Sequence, residues 1–211
     1  MMKLINKVKS TIRNNTFKDI IRKLVRYFIN IELHYRLYLD NETYKKFIDK
    51  YPNYAIKELD IYSLKKMKEL YPLEISEKTY NNLLKTLNEN SISKCFVIFC
   101  DNEIAGYMNI ALGYDFDSIN NQYVEKEKNI YFFALYTFIK FRASGAQTFA
   151  KAQLLNLYHK NGFKTSSAFI QKGNWRSKKF FDKFGGHWYK KVIKINFFGI
   201  KFNKEKLFNN D

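Results

Sequence analysis

The chain is poor in the residues that mark disulfide-rich, fibrous or disordered proteins, with two cysteines, two prolines and eight glycines among 211 residues. So little glycine and proline excludes collagen-like repeats and low-complexity linkers. Cys95 and Cys100 lie in one apolar segment, where neighbours on a strand cannot easily bridge. We therefore expect no disulfide framework and a reducing compartment. A chain of this length can bury a core without such cross-links.

Long hydrophobic runs are also missing from the sequence. The longest candidate, residues 131–139, is about half as long as the roughly 18–20 residues that a membrane-spanning helix requires. The amino-terminal segment is basic but contains no uninterrupted apolar stretch, which argues against a signal peptide. These absences predict a cytoplasmic protein.

Acidic residues are few relative to basic ones, and the imbalance is uneven along the chain. With 37 Lys and Arg against 20 Asp and Glu, the formal charge is +17. Residues 1–30 carry +7 and residues 140–211 carry +13, so the middle of the chain carries −3. Two basic ends indicate an anionic partner, which can be nucleic acid, a membrane or a phosphorylated ligand. A coding bias towards lysine on solvated surfaces explains part of the excess equally well.

The first 30 residues have the spacing of a basic amphipathic helix. Apolar residues recur at i, i+3, i+4 and i+7 with basic residues between them, at Phe17, Ile20, Ile21, Leu24, Val25, Phe28 and Ile29. Such a helix can lie on an anionic membrane, giving peripheral contact at the inner membrane face through residues 1–30, or pack on the rest of the chain. The pattern leaves both readings open. We predict a basic helical extension over residues 1–48 and one domain over residues 49–211.

The remaining pattern predicts an α/β fold with a mixed sheet. Helical spacing covers residues 63–70, 76–87 and 174–184, and a further helix starts near 146 and stops at Asn161-Gly162. Strands are predicted over residues 54–60, 94–100, 104–112, 129–141, 168–170, 192–196 and 198–202. Residues 113–128 are predicted to be a long polar loop.

The segment between the most hydrophobic strand and the helix after it carries the most informative pattern. Ser144 followed by Gln147 fits a capping box, which predicts a helix beginning at Gly145. The first N–H groups of such a helix lack intrahelical partners, and the small Gly145 and Ala146 let an anion approach them closely. Arg142 can add a charge-assisted contact to the same anion.

This segment resembles the acetyl-CoA loop of the GNAT superfamily of N-acetyltransferases. That loop reads Gln/Arg-x-x-Gly-x-Gly/Ala after a strand often written Leu-Tyr-Val-x-Pro-x-Tyr, and this chain has Leu-Tyr-Thr-Phe-Ile-Lys-Phe followed by Arg-Ala-Ser-Gly-Ala-Gln. Arg142 and Gly145 match the loop, whereas Gln147 departs from it. The resemblance implies that the CoA pyrophosphate and pantetheine arm meet Thr137, Phe138, Ile139, Arg142, Ala143, Ser144, Gly145, Ala146, Gln147 and Thr148.

A second motif resembles the later CoA-contacting helix of the same superfamily. The family pattern Asn-x-x-Ser/Ala-x-x-Leu-Tyr-x-Lys-x-Gly is matched here at Asn174, Ser177, Lys183, Gly185 and Gly186. Asn174 is also a good helix N-cap by itself. The position where relatives carry the tyrosine that protonates the departing thiolate is Phe181. A phenyl ring cannot donate a proton, so Phe181 is expected only to pack against CoA.

The resemblance implies a GNAT-type, mostly antiparallel sheet flanked by helices and an acyl transfer from acetyl-CoA, or another acyl-CoA, to an amine. No metal is expected. The basic extension and the ending of the chain resemble members associated with bacterial surface-polysaccharide synthesis, which implies an acceptor such as an amino sugar on a nucleotide or lipid carrier. The alternatives are an inactive module that binds CoA or a membrane and a basic nucleic-acid-binding protein. No zinc-finger, helix-turn-helix or RNP-like motif supports the last of these.

Catalytic groups are harder to read from the sequence. Relatives often place a carboxylate on the strand before the CoA loop, and residues 130–139 contain none. The candidates are Tyr136 on that strand and His187 after the Gly-Gly turn, with Tyr189, Asp115 and Asp117 as further possibilities. An oxyanion-hole N–H that polarises the thioester carbonyl is expected near Thr137 or Phe138.

Overall fold

The computed structural model describes residues 29–40, 44–88, 91–197 and 200–208. The strands are β1 Ile29–Tyr38, β2 Tyr54–Glu58, β3 Ser93–Cys100, β4 Glu103–Asp117, β5 Gln122–Thr137, β6 Thr165–Gln171, β7 His187–Phe197 and β8 Ile200–Leu207. The helices are α1 Lys45–Asp49, α2 Ile61–Leu70, α3 Glu77–Lys85, α4 Ala146–Lys160 and α5 Trp175–Asp182, and a 3₁₀ turn covers Ile139–Phe141. No helix in these ranges is long and apolar enough to cross a bilayer.

The eight strands form one sheet in the order β2-β3-β4-β5-β6-β1-β7-β8. Neighbouring strands are antiparallel except β5 and β6, which run parallel. Helix α4 crosses from β2 to β5, burying Phe149, Ala150 and Leu154. The predicted α/β class with a mixed, mostly antiparallel sheet flanked by helices is confirmed.

The predicted amino-terminal extension needs correction at its carboxyl end. Residues 1–28 lie outside the described chain, so the amphipathic helix predicted there stays a prediction. Ile29–Tyr38 is not part of a helical extension, because it forms β1 in the interior of the sheet between β6 and β7. Its apolar residues alternate with period two, and Tyr35 and Leu37 are buried in the core. The domain therefore begins before residue 49.

The segment 113–128 is also not a loop. Strands β4 and β5 stay paired through Tyr114–Glu125 and Asp117–Gln122, so they form a hairpin arm with its turn at residues 118–121. The arm folds across β6, where the Phe116 ring stacks on Phe169 with centroids 5.5 Å apart. Aromatic residues on one side of the arm pack against the sheet. This packing stabilises the extended conformation of a segment whose sequence is mostly polar.

The helix ends agree more closely with the sequence. Asn174 caps α5 by accepting a hydrogen bond from the Ser177 N–H (3.2 Å), and α4 ends immediately before Asn161 and Gly162 as predicted. The Gly185-Gly186 turn brings the chain onto β1, where the Gly186 N–H donates to the Tyr35 hydroxyl (3.0 Å). A Cβ at position 186 would lie 2.2 Å from the Tyr35 ring, so this close approach requires glycine.

Candidate active site

The sheet opens between β5 and β6, and this opening forms the candidate site. The two parallel strands pair only over Asn129–Tyr131 and Thr165–Ser167 and then diverge. Beyond that point lies a cavity of about 680 Å³. It is bounded by the ends of both strands, by the start of α4 and by α5.

An irregularity in β5 exposes backbone groups to this cavity. Its register with β4 jumps from the Asn109–Phe133 pair to the Tyr107–Tyr136 pair, and Ala134 has φ of +46°. Ala134 and Leu135 therefore have no Cα partner on β4, and both residues line the cavity. Their peptide groups are available to a bound ligand, as the backbone of a bulged strand commonly is.

The N-terminus of α4 closes one end of the cavity. Gly145 is the N-cap, with φ of +97°, and a Cβ there would lie 2.3 Å from the Tyr51 ring. The helix begins at Ala146, whose N–H, like those of the next two residues, has no partner within the helix. The predicted capping box is wrong, because the Ser144 hydroxyl donates to the Phe141 carbonyl and no side chain caps α4.

Gln147 stands at the last position of the loop, where the family pattern has glycine or alanine, and its contacts show what the larger side chain does there. Its amide nitrogen donates to the carbonyl oxygens of Tyr136 (2.7 Å) and Tyr107 (3.3 Å). The side chain is thus turned towards the sheet and holds α4 against the irregular part of β5. A glutamine at this position leaves the space in front of the helix N-terminus open.

Helix α5 and its two capping residues supply the second wall, which carries polar and basic side chains. Asn174, Arg176, Ser177 and Lys183 line the cavity, and these two cations are its charged residues among the described side chains. Phe181 also lines it and is buried against the Tyr35 ring, with centroids 5.1 Å apart. The two cations therefore lie at opposite ends of α5, Arg176 in its first turn and Lys183 just after its last residue, and Phe181 presents an apolar ring between them.

Most of the predicted cofactor residues meet at this cavity. Nine line it, namely Thr137, Ala143, Gly145, Ala146, Gln147, Thr148, Asn174, Ser177 and Phe181. Four do not, and each has other contacts. Phe138 is buried with its ring stacked on Tyr71 (3.7 Å), and its N–H donates to the Ala105 carbonyl (3.0 Å), so it is not the predicted oxyanion donor. The Ser144 hydroxyl bonds the Phe141 carbonyl, as described above.

The other two predicted residues, Ile139 and Arg142, lie at a polar cluster beside the cavity. Glu74, in the loop between α2 and α3, accepts hydrogen bonds from the Tyr136 hydroxyl (2.8 Å) and the Ile139 N–H (3.0 Å). Arg142 reaches the same hydroxyl at 3.4 Å. Glu74 was missed by the sequence reasoning, because it is 62 residues from Tyr136 and no local pattern joins the two.

Tyr136 is therefore held by a carboxylate. Burial, followed by the hydrogen bond to Glu74, raises the pKa of the Tyr136 hydroxyl. It stays protonated at neutral pH and can relay a proton to Glu74, but it is not itself a base. Its neighbours Leu135 and Thr137 line the cavity, whereas Tyr136 itself is not among the lining residues.

His187 does not reach the cavity. Its ring stacks on Tyr38 with centroids 5.9 Å apart, at the start of β7 and away from the lining residues. The other candidates have structural contacts. Asp115 accepts from the Ser167 hydroxyl (2.9 Å) and pairs with Lys126, while Asp117 bonds backbone N–H groups of its own turn. Tyr189 lies under the Arg36 guanidinium, 4.1 Å from its ring centre.

A second residue that the sequence reasoning missed lies behind the cavity wall. Lys151, on α4, is fully buried, and its amine has no hydrogen-bond partner among the described residues. Its Nζ lies 4.0 Å from the Phe181 ring centre, and four more rings surround it, those of Tyr35, Phe132, Phe180 and Phe184. Burial lowers the pKa of this ammonium well below its usual value. The available signal was a lysine between apolar positions of α4.

No protein-family model matches the sequence, and no curated protein matches it either. Several solved structures are similar to this chain. A functionally unknown conserved protein from Staphylococcus epidermidis ATCC 12228 has a TM-score of 0.57 at 10% identity, covering 92% of this chain and 69% of that one. A GCN5-related N-acetyltransferase-like protein from Streptococcus suis 89/1591 has a TM-score of 0.53 at 12% identity, with the same coverage of both chains. The chain therefore has the fold of the GCN5-related N-acetyltransferases.

Proposed function

We propose that this protein is an acyl-CoA-dependent N-acyltransferase. The observation that carries the proposal is the opening between β5 and β6, which joins a helix N-terminus with unpaired amides to an irregular strand with free peptide groups. An extended thioester with a diphosphate at one end fits both features, with the diphosphate at the helix N-terminus and the extended arm along the irregular strand. Nine of the residues that the GNAT resemblance selects lie along the same opening.

The phosphates of CoA belong at the N-terminus of α4. Free N–H groups at the start of α4, with the helix dipole, favour an anion there. Arg176 and Lys183 bring positive charge to the same cavity from α5. The pantetheine arm then runs beside β5, where Ala134 and Leu135 can pair with its amides and polarise the thioester carbonyl.

The acceptor belongs on the side of the opening away from the phosphates. Three aromatic residues of β5 and β6 line it, with the Tyr131 ring stacked on Phe133 (5.7 Å) and lying 6.5 Å from Phe169. Phe116 of the hairpin arm stacks on both Tyr131 and Phe169, so these rings form an apolar wall against which a sugar ring can pack at their edges. No carboxylate among the described lining residues is present to bind a polycation. We propose an amino sugar on a nucleotide or lipid carrier as the acceptor.

The reaction is a direct transfer. The neutral amine attacks the thioester carbon, the C–N bond forms, the C–S bond breaks, and CoA leaves as a thiolate that takes up a proton. The proton lost by the amine passes through the Tyr136 hydroxyl to the Glu74 carboxylate, which are 2.8 Å apart. Phe181 contributes packing alone, because its ring has no proton to give.

Acetyl-CoA binding measured by calorimetry tests the cofactor site. Gly145→Ala forces the Tyr51 ring away and strains a left-handed backbone, so we expect it to weaken binding by about tenfold or more, on the order of 1.4 kcal/mol. Gly162→Ala is the matched control, since Gly162 has φ of +84° and open space around it at the other end of α4. Equal affinities for the two variants, or no binding by the unaltered protein, would show that the loop is not the CoA site.

Release of free thiol from acetyl-CoA then separates an enzyme from an inactive CoA-binding module. We expect release in the presence of nucleotide-linked amino sugars and none in the presence of polyamines. If CoA binds but no amine in the panel releases thiol, the inactive module is the better description.

A further inference from the structure

An apolar strip lies at the far end of the sheet, on the same face as Tyr35. The strand register places Ile29, Ile195 and Phe202 side by side, and next to them Ile31 beside Ile193. Ile200 completes the strip at the tip of the β7–β8 hairpin. Phe202 and Ile200 are 61% and 59% exposed, respectively. Helix α5 packs on this face through Phe181, whose ring contacts those of Tyr35 and Trp188.

Lysines lie beside the strip. Residues 187–207 contain six lysines and one acidic residue, Glu205, which gives 6 − 1 = +5. The register puts Lys191, Lys204 and Lys206 on the same face as the apolar strip, nearer the body of the sheet. No acidic side chain in the described part of the chain lies within ion-pair distance of these three.

We propose that this face of the β7–β8 hairpin, the apolar strip with its lysines, docks on an anionic lipid bilayer. The exposed isoleucines and Phe202 can enter the boundary between headgroups and acyl chains, while the lysine stems reach along them and place their ammonium groups at lipid phosphates. Each lysine near an anionic surface contributes attraction that salt weakens.

The charges favour a lipid surface over two other occupants. A second copy of the chain would bring the lysine rows of two β8 edges together, and lysines on an edge strand oppose such pairing. The chain's own residues 1–28 carry eight basic residues and one acidic residue, so like charges would meet there as well.

Vesicle co-sedimentation of the full-length protein tests this proposal. We expect binding to vesicles of phosphatidylglycerol and phosphatidylcholine, little binding to phosphatidylcholine alone, and a loss of binding as salt is raised. The double variant Ile200→Ser/Phe202→Ser should bind the anionic vesicles at least about tenfold more weakly. Leu207→Ser is the matched control, because Leu207 is 64% exposed on the same strand but pairs with Lys190 on the opposite face.

Two results overturn the proposal. One is equal vesicle binding by the double variant and the Leu207→Ser control. The other is a dimer of the unaltered protein in light scattering that the double variant abolishes, which assigns the strip to a second copy. The acetyl-CoA affinity of the same variants, measured by calorimetry, should be unchanged. The membrane surface is therefore tested independently of the acyltransferase proposal.

Discussion

Lys151 has an ionisable amine that lies in an apolar environment. Helix α4 carries it into a cage of five aromatic rings, and its amine lacks a partner among the described residues. Burial lowers the pKa of the Lys151 amine in the folded protein well below the value of about 10.4 that it has in the unfolded chain. The unfolded state therefore binds a proton at this amine more readily, and the stability of the fold decreases as the pH falls below about 10.4.

Replacing the amine should stabilise the protein. We expect Lys151→Met to raise the free energy of unfolding at pH 7 by about 1–3 kcal/mol, the range for a buried polar group without a partner. It should also flatten the rise in stability between pH 7 and 9, as measured by denaturant unfolding. Lys160→Met, at an exposed position of the same helix, is the control and should change neither quantity. A less stable Lys151→Met would mean that the rings hold a charged ammonium.

At the scale of elements, β1 connects the two halves of the sheet. It pairs with β6 on one side through seven residues and with β7 on the other, and it buries Tyr35 and Leu37. A chain that starts at Asp49 lacks this strand, leaving two open strand edges and an uncovered core. Since a domain is stable by only about 5–15 kcal/mol in total, losing a central strand should abolish folding.

Truncation checks this expectation. A chain starting at Ile29 should unfold cooperatively in urea with native-like circular dichroism, whereas one starting at Asp49 should show no cooperative transition. Cooperative unfolding of the shorter chain would restore the predicted boundary at residue 48 and make β1 an accessory strand.

The elements that the sequence predicts well are those with a local signal. Helix α4 follows from apolar spacing and a glycine stop, and the α5 N-cap follows from Asn174 alone. Strand β1 and the hairpin arm depend on distant partners, such as the contact of Ser118 in the arm with His34 (3.1 Å), and no local pattern encodes that pairing.

The candidate site divides in the same way. Motif positions place the α4 loop at the cavity, because backbone conformation near Gly145 is a local property. Arg142 matches the motif but bonds Tyr136 instead, and Glu74 reaches that tyrosine from another part of the chain. Side-chain partners of this kind depend on how the elements pack, so spacing alone cannot give them.

For the whole molecule, we expect that lowering the pH first reduces stability through one histidine and only at lower pH through the carboxylates. His34 is buried on β1, and burial followed by the nearby Lys190 lowers its pKa to about 4, although Asp115 and Glu205 oppose the shift and Lys194 adds to it. The unfolded histidine protonates near pH 6.5, so between pH 6.5 and 4 the unfolded state binds more protons and stability falls with pH. The difference in pKa corresponds to about 3 kcal/mol.

Denaturant unfolding from pH 7 to pH 3 should therefore show two steps. The first, between pH 6.5 and 4, belongs to His34, and the second, below pH 4, belongs to carboxyls such as Asp60, whose pKa the bonded Lys57 lowers to about 2. His34→Gln keeps a partner for the Ser118 hydroxyl and should remove the first step alone. A stability that stays level between pH 7 and 4.5 in the unaltered protein would contradict this assignment, because His34 would then carry its proton in the folded state.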